Sequence, residues 1–382
     1  MSLKLLKFDT VNPENYLNLK IKENLDIILK MDRQEFLDWI ISLRANFSDF
    51  YTYNLRKAGW EAEEFFVTPY YIDKVADEIF GNRKKFMKIK EKIKNKIRPV
   101  KKRWLLNVVR EYIDVYKPDV ILVREVVGIP SSFWRSYSDK ILLVDRMATP
   151  VPREWSVNDW HLILTSTNTF KDFFELNGVD SYINPNGFDE RIIDEIKDCR
   201  KEYEVTFVGG LGDRFWARRT KCINFIADKV NFSWWGLCGN KYPADHPIIR
   251  TNKGITSGLE MLKIYKKSKI VFNDYGEIAN GSGVNQRMFE VLGSGAFLLT
   301  RHADNLKKDF PDNIFVTFSD DNDCLEKIRY YLKNEKEREE IAAAGQKYIL
   351  ENYNYKNLMT ELDHVIKQSY KKFFPDRKQQ QI

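Results

Sequence analysis

The chain has 382 residues, 43% hydrophobic, 14% aromatic and 31% charged, which excludes intrinsic disorder and allows two domains, each with its own core. Its net charge of +7 is uneven: between Gly81 and Arg110 thirteen Lys and Arg stand against one Glu, a net +12, so the remainder sums to −5. No apolar run approaches the ~20 residues of a membrane span, and the first residues (MSLKLLKFDT) break with charge too early for a secretory signal. The four cysteines, Cys199, Cys222, Cys238 and Cys324, form no C-x-x-C pair; reduced thiols and a cytosolic setting follow as the expectation.

In chain order, apolar β-branched runs predict strands at Leu3–Phe8, Glu64–Val67, Asp119–Val123, Ile141–Val144 and Leu162–Thr165. A polar, helix-like stretch follows at Asp189–Tyr203, and the pattern restarts at Val205–Val208, Phe232–Gly236, Ile270–Asn273, Ala296–Thr300 and Ile314–Phe318. Amphipathic helices are expected at Arg33–Arg44, Leu259–Lys267 and Cys324–Leu332, and a closing pair at Glu335–Tyr353 and Tyr355–Lys372. Strand and helix in alternation imply right-handed crossovers and parallel sheets covered on both faces. Two such α/β units are expected, over 1–195 and 203–352, with 353–382 as a C-terminal helix and tail that packs back towards the first unit. Ligands in such sheets bind beyond the carboxyl ends of the strands.

Thr206-Phe-Val-Gly-Gly-Leu-Gly-Asp-Arg214 reads as a strand running into a glycine turn and a helix. A turn of this kind lets backbone approach a phosphate at the helix N-terminus, or is simply a tight connection. Arg214, Arg218 and Arg219 could add charge-assisted bonds to a diphosphate. As a dinucleotide fingerprint the segment fails: Phe215 stands in place of the third glycine, and the next strand, ending Trp235-Gly-Leu-Cys-Gly239, offers no acid for a ribose. The second glycine segment is Asn280-Gly-Ser-Gly-Val-Asn-Gln-Arg-Met-Phe-Glu-Val-Leu-Gly-Ser-Gly295, with a helix expected from about Val284. Asn285, Arg287 and Glu290 interrupt an otherwise apolar helix. Charged groups are seldom buried without a partner, so this placement suggests a ligand; the alternative is a solvent-facing stripe.

Asn285-Gln-Arg-Met-Phe-Glu290, with Gly293-Ser-Gly-Ala-Phe-Leu-Leu-Thr300, resembles the C-terminal core of the CgeB-like bacterial glycosyltransferases. The likeness continues through Cys324–Leu332 and Arg338–Gly345, and upstream through Asp49–Trp60, Pro118–Val123, Ala148–Pro152 and Leu162–Ser166. It spans nearly the whole chain apart from the basic segment near 81–110 and the tail. The resemblance implies an α/β GT-B fold, two Rossmann-like domains facing each other across a cleft. It also implies transfer of a sugar from a nucleotide-sugar donor to a hydroxyl of a glycan, lipid-linked or protein acceptor in bacterial surface polysaccharide or glycoconjugate synthesis. Glu290 matches the acid that holds the donor ribose. Related enzymes often carry a second Glu eight residues earlier, where this chain has Ser282, so the stereochemistry of the retaining enzymes does not transfer.

Arg218 or Arg219, with the amides near Gly210 and Gly283, would neutralise the leaving diphosphate, with Arg287 sharing that work or pairing with Glu290. The acceptor's general base is expected from the first unit: Glu125, just beyond a strand, with Asp49 and Asp145 as rivals. Asp49 has a second reading, as an acid favoured at a helix N-terminus. Asp321-Asn-Asp323 is similar to the D-x-D of metal-dependent transferases but precedes a helix, where acids favour the N-terminus; no obligatory metal or cofactor is expected. In the basic segment, Phe86, Ile89, Ile93 and Ile97 are spaced as one helix face ended by Pro99. Residues 83–103 read either as a packed helix with a solvated outer face or as a contact for an anionic membrane surface or a polyanionic acceptor; the membrane reading would place a cytoplasmic protein on the inner face of the plasma membrane. Nucleic acid is not expected as a partner, because no aromatic-interleaved motif accompanies the charge. The rival class is a non-catalytic nucleotide-sugar or polyanion binding protein.

Overall fold

The computed structural model describes residues 3–11, 13–46, 48–81, 100–124, 128–148, 152, 154–276 and 283–378. The basic helix expected around Phe86–Ile97 lies outside these residues, as do Glu125, Ser282 and the last four residues. Among the described residues no helix is long and apolar enough to cross a membrane. By packing, the chain divides into two compact units: Met1–Pro185 with Leu358–Ile382, and Asn186–Asn357.

The first unit holds a six-stranded sheet of β1 (Lys4–Asp9), β2 (Glu61–Phe66), β3 (Val120–Arg124), β4 (Leu142–Arg146), β5 (Leu162–Thr165) and β6 (Asp180–Ile183). They lie in the order β2-β1-β3-β4-β5-β6, every pairing parallel. β3 and β4 are buried along their whole length, as strands covered on both faces must be. β6 carries the sequence Asp-Ser-Tyr-Ile and is half-buried throughout; lacking an apolar run, this edge strand escapes a reading by periodicity. The C-terminal helix Tyr355–Phe373 is tied to this unit by Trp60, whose indole N–H donates to Asp363 at 2.5 Å, and by Lys372, which meets Asp180.

The second unit holds β7 (Tyr203–Val208), β8 (Phe232–Trp235), β9 (Ser268–Asn273), β10 (Leu298–Arg301) and β11 (Val316–Phe318). The order is β11-β10-β9-β7-β8, again all parallel. In both sheets the first strand has its successor on one side and the rest of the sheet on the other, so connections diverge at β1/β3 and at β7/β9. Crevices for ligands open at such switch points. Several strands run one or two residues past the last apolar residue and end on a charge: Asp9, Arg124, Arg146 and Arg301. All four are buried, with Asp9 pairing with Lys7 and Arg124, and Arg301 with Asp274, which lets the ladder continue through them.

Helix ends follow local chemistry. Asp32 and Glu35 form a capping box on the helix Arg33–Ser42. Asn285 accepts from the Met288 N–H and starts the helix Gln286–Gly293 two residues later than the apolar pattern suggests. The second core gathers Phe207, Ile226, Phe272, Leu299, Phe318 and Ile328. Phe272 meets Phe207 edge-on with centroids 5.9 Å apart and stacks on Phe318 at 5.4 Å. Phe272→Ala should cost the second unit about 3–5 kcal/mol through lost burial and the cavity left behind. Urea unfolding followed by tryptophan fluorescence checks this through an early transition of that unit.

Candidate functional site

The polar residues of the second unit collect at its switch point. β7 runs out into Gly209-Gly210-Leu211-Gly212, and the helix Asp213–Ala227 follows. Gly209 has φ +155°, and a Cβ there would lie 2.6 Å from the Arg287 guanidinium and 2.7 Å from the Phe207 ring. At Gly236, just past β8, a Cβ would sit 2.1 Å from the Gly209 carbonyl oxygen. Only glycine fits either place. Backbone bonds then lace the two turns: Gly209 N–H to Trp235 O at 2.9 Å, Leu211 N–H to Leu237 O at 2.9 Å, and Gly239 N–H to Leu211 O at 2.8 Å. The following helix breaks at Trp216 (φ −143°, ψ 35°), so Arg218 and Arg219 stand at the start of its regular part.

β9 contributes two residues that pattern reading did not single out, Asn273 and, just beyond it, Asp274, both fully buried. Asn273 donates to Thr300 Oγ1 at 2.9 Å, and its carbonyl oxygen accepts from Asn285 at 3.2 Å and Arg287 at 2.7 Å. Asp274 gathers three arginines: one carboxylate oxygen accepts from Arg218 at 2.8 Å, the other from Arg301 at 2.6 Å, and its backbone carbonyl accepts from Arg219 at 3.1 Å. Arg219 also donates to the Gly210 carbonyl, so this 4% exposed side chain braces the turn. Arg218 is 39% exposed at its side chain. Gly283 donates its N–H to Asn305 at 3.0 Å.

The structure therefore brings Gly210, Arg218, Arg219, Asn285, Arg287 and Glu290 into one region around Asn273 and Asp274. Glu290 is half-buried. Burial pushes its carboxyl up to about 7, against the pull of Arg287 and a hydrogen bond from Gln286. Of the four arginines here, Arg219 and Arg301 are buried against backbone carbonyls and carboxylates, while Arg218 and Arg287 are only part-buried and are the two that an anion could reach. The one sequence signal for Asn273-Asp274 was its place, a polar pair directly after an apolar central strand.

In the first unit, Asp49 is buried at the start of the helix Phe50–Lys57 without capping it; its carboxylate pairs with Arg44 at 3.3 Å and Arg56 at 3.7 Å. Asp145, near the carboxyl end of β4, accepts from the Trp155 indole at 2.6 Å. Burial pushes it up to about 7 although Trp155, Arg124 and Arg146 draw it down. At the β1/β3 switch point Lys7 is fully buried, 2.8 Å from Glu64 and 3.2 Å from Asp9, which also lies 3.6 Å from Arg124. Asp320 caps the helix Asp321–Lys333, Asp323 accepts from the Ser319 N–H and Lys327, and Asp321 pairs with Arg301. Asp323 is thus engaged at the helix start, whereas Asp321 reaches across to Arg301 of β10.

Residues 218–364 match the family model described as glycosyl transferase-like. Solved structures resemble the chain along almost its whole length. A glycosyltransferase from Rickettsia africae ESF-5 is 9% identical, with 98% of this chain and 99% of that one covered and a TM-score of 0.55. HepE of Anabaena, solved with UDP, is 12% identical over 96% and 100%, TM-score 0.51. A UDP-GlcNAc 2-epimerase from Neisseria meningitidis bound to UDP-GlcNAc is 12% identical over 96% and 100%, TM-score 0.52. The fold is GT-B. No curated protein sequence matches the chain. In the GT-B frame the second unit's switch point carries Glu290 on the helix after the second glycine segment.

A carboxyl raised by burial keeps its proton in the folded chain between about 4.5 and about 7, where the unfolded chain has already lost it. Stability is therefore lost as pH rises through that window. Glu290→Gln should melt above wild type at pH 8, the gap closing as pH falls from 7 to 4.5. Thermal melts across that range check it, and a pH-independent gap would show that burial does not govern this carboxyl.

Proposed function

We propose that the second unit binds a nucleotide-sugar donor and that the chain transfers the sugar to a hydroxyl of a glycan, lipid-linked or protein acceptor. The observation that carries this is the placement of Glu290 beside Arg287, whose guanidinium reaches the Gly209 turn. A carboxylate there accepts from a ribose diol, while the glycine turn and Arg218 lie where a diphosphate would follow. The glycosyl transferase-like match over 218–364 covers both Arg218 and Glu290. The UDP and UDP-GlcNAc of the two solved neighbours favour the same ligand class.

As the glycosidic bond breaks, negative charge gathers on the leaving diphosphate, and fixed donors at that point lower the barrier. The acceptor hydroxyl loses its proton to a base from the first unit. Glu125, next to Arg124 at the carboxyl end of β3, is proposed for that role; Asp49 and Asp145 are the alternatives, with Asp49 already engaged by two arginines. No step calls for a metal. The CgeB-like motifs favour bacterial surface glycan synthesis, and the basic segment 83–103 suits attachment to anionic lipid on the cytoplasmic side.

A ligand that binds only the native state raises the melting temperature. One of UDP-, GDP-, dTDP- or CMP-linked sugars should do so for wild type, and Glu290→Ala should abolish the shift while keeping its circular dichroism spectrum. No response to any donor would overturn the reading. Glu125→Gln should retain the donor shift and lose transfer and donor hydrolysis; unchanged turnover would move the base to Asp49 or Asp145.

A further inference from the structure

We infer that Asp274 is a positioning residue that holds Arg218 ready for the donor diphosphate, an inference that rests on the donor-binding reading above. Asp274 is fully buried, and a carboxylate removed from water requires charged or hydrogen-bonding partners. Arg301 supplies one at 2.6 Å and is itself fixed by the Ser319 carbonyl at 3.2 Å and by Asp321 at 3.5 Å. Asp274 is therefore anchored from the side of β10, and its second oxygen is directed at Arg218.

Arg218 is the most exposed arginine at this carboxylate, with 39% of its side chain accessible. A long exposed side chain samples many rotamers and loses that freedom when it binds an anion. Here its guanidinium is already held by Asp274 Oδ1 at 2.8 Å, by the Tyr275 carbonyl at 2.9 Å, and over the Tyr275 ring at 4.6 Å. Tyr275 is in turn pinned by its hydroxyl, which donates to the His302 carbonyl at 2.8 Å. Arg219 links the Asp274 and Gly210 carbonyls, which sets this clamp next to the glycine turn.

The sign of the effect separates positioning from simple charge. A negative charge close to a bound diphosphate repels it, so were Asp274 only a charge, neutralising it would tighten binding. If it positions Arg218, neutralising it weakens diphosphate binding and leaves nucleoside binding untouched.

The test is a double-mutant cycle of Asp274→Asn and Arg218→Ala in the full chain, read by calorimetry against UDP, GDP and dTDP, each beside its nucleoside. Asp274→Asn should weaken diphosphate binding about tenfold in an otherwise wild-type chain and not at all in the Arg218→Ala background, the non-additivity of residues that act through one another. Asp274→Ser opposes no amide to Arg301 and gives the same reading should Asp274→Asn fail to fold. Tighter diphosphate binding, or an equal loss in both backgrounds, overturns the inference alone. Wild type that binds none of the three diphosphates overturns the donor reading and the inference with it.

Discussion

A parallel sheet covered by helices on both faces leaves polar side chains one natural meeting place, the carboxyl edge of its strands, and both units of this chain are organised by that constraint. In the second unit the edge at β7 and β9 carries the glycine turn, Asn273 and Asp274. The polar residues of this region arrive from three elements: Arg218 and Arg219 from the helix after β7, Arg287 and Glu290 from the helix before β10, and Arg301, which anchors Asp274, from β10. The apolar interior of Phe207, Phe272, Leu299 and Phe318 fixes the strands, and the strands fix where these groups emerge. Packing and chemistry are thus successive stretches of the same strands.

The first unit handles its edge differently. Lys7, Asp9, Glu64 and Arg124 are all buried there, and Glu64 and Asp9 keep the Lys7 ammonium charged against the cost of its burial. Taking one member away would strand the others without compensation, which is why such clusters resist single substitution. Burial lifts two carboxyls of this unit to about 7, Glu64 inside that cluster and Asp145 beside Trp155, in the range where a general base operates.

Much of this was legible in the sequence because it depends on neighbours in the chain. The apolar strands, the helix Gly258–Lys267 and the polar trio of Asn285, Arg287 and Glu290 all announce themselves by spacing. What pattern reading passed over depends on distant partners or lacks an apolar signature. β6 is polar and half-buried, so no alternation marks it. Strand ends at Arg124, Arg146 and Arg301 look like loop onsets until their buried surroundings are known. Asp274 is the clearest case: its partners lie 56 residues before it and 27 after it, and no local pattern connects them. Arg219, which reads as a phosphate ligand beside Arg218, is instead enclosed and committed to two backbone carbonyls.

The close approach of Gly236 to the Gly209 carbonyl has a consequence for how this molecule can diversify. Because a side chain at Gly236 would strike backbone, and one at Gly209 would strike Arg287 and Phe207, neither turn has room to vary alone. The two loops behave as one mutational unit, frozen together. Change in what the second unit recognises must then come from elsewhere along the edge, from the segment after β10 or from the half-buried face of the helix that carries Glu290, while the glycine pair stays fixed.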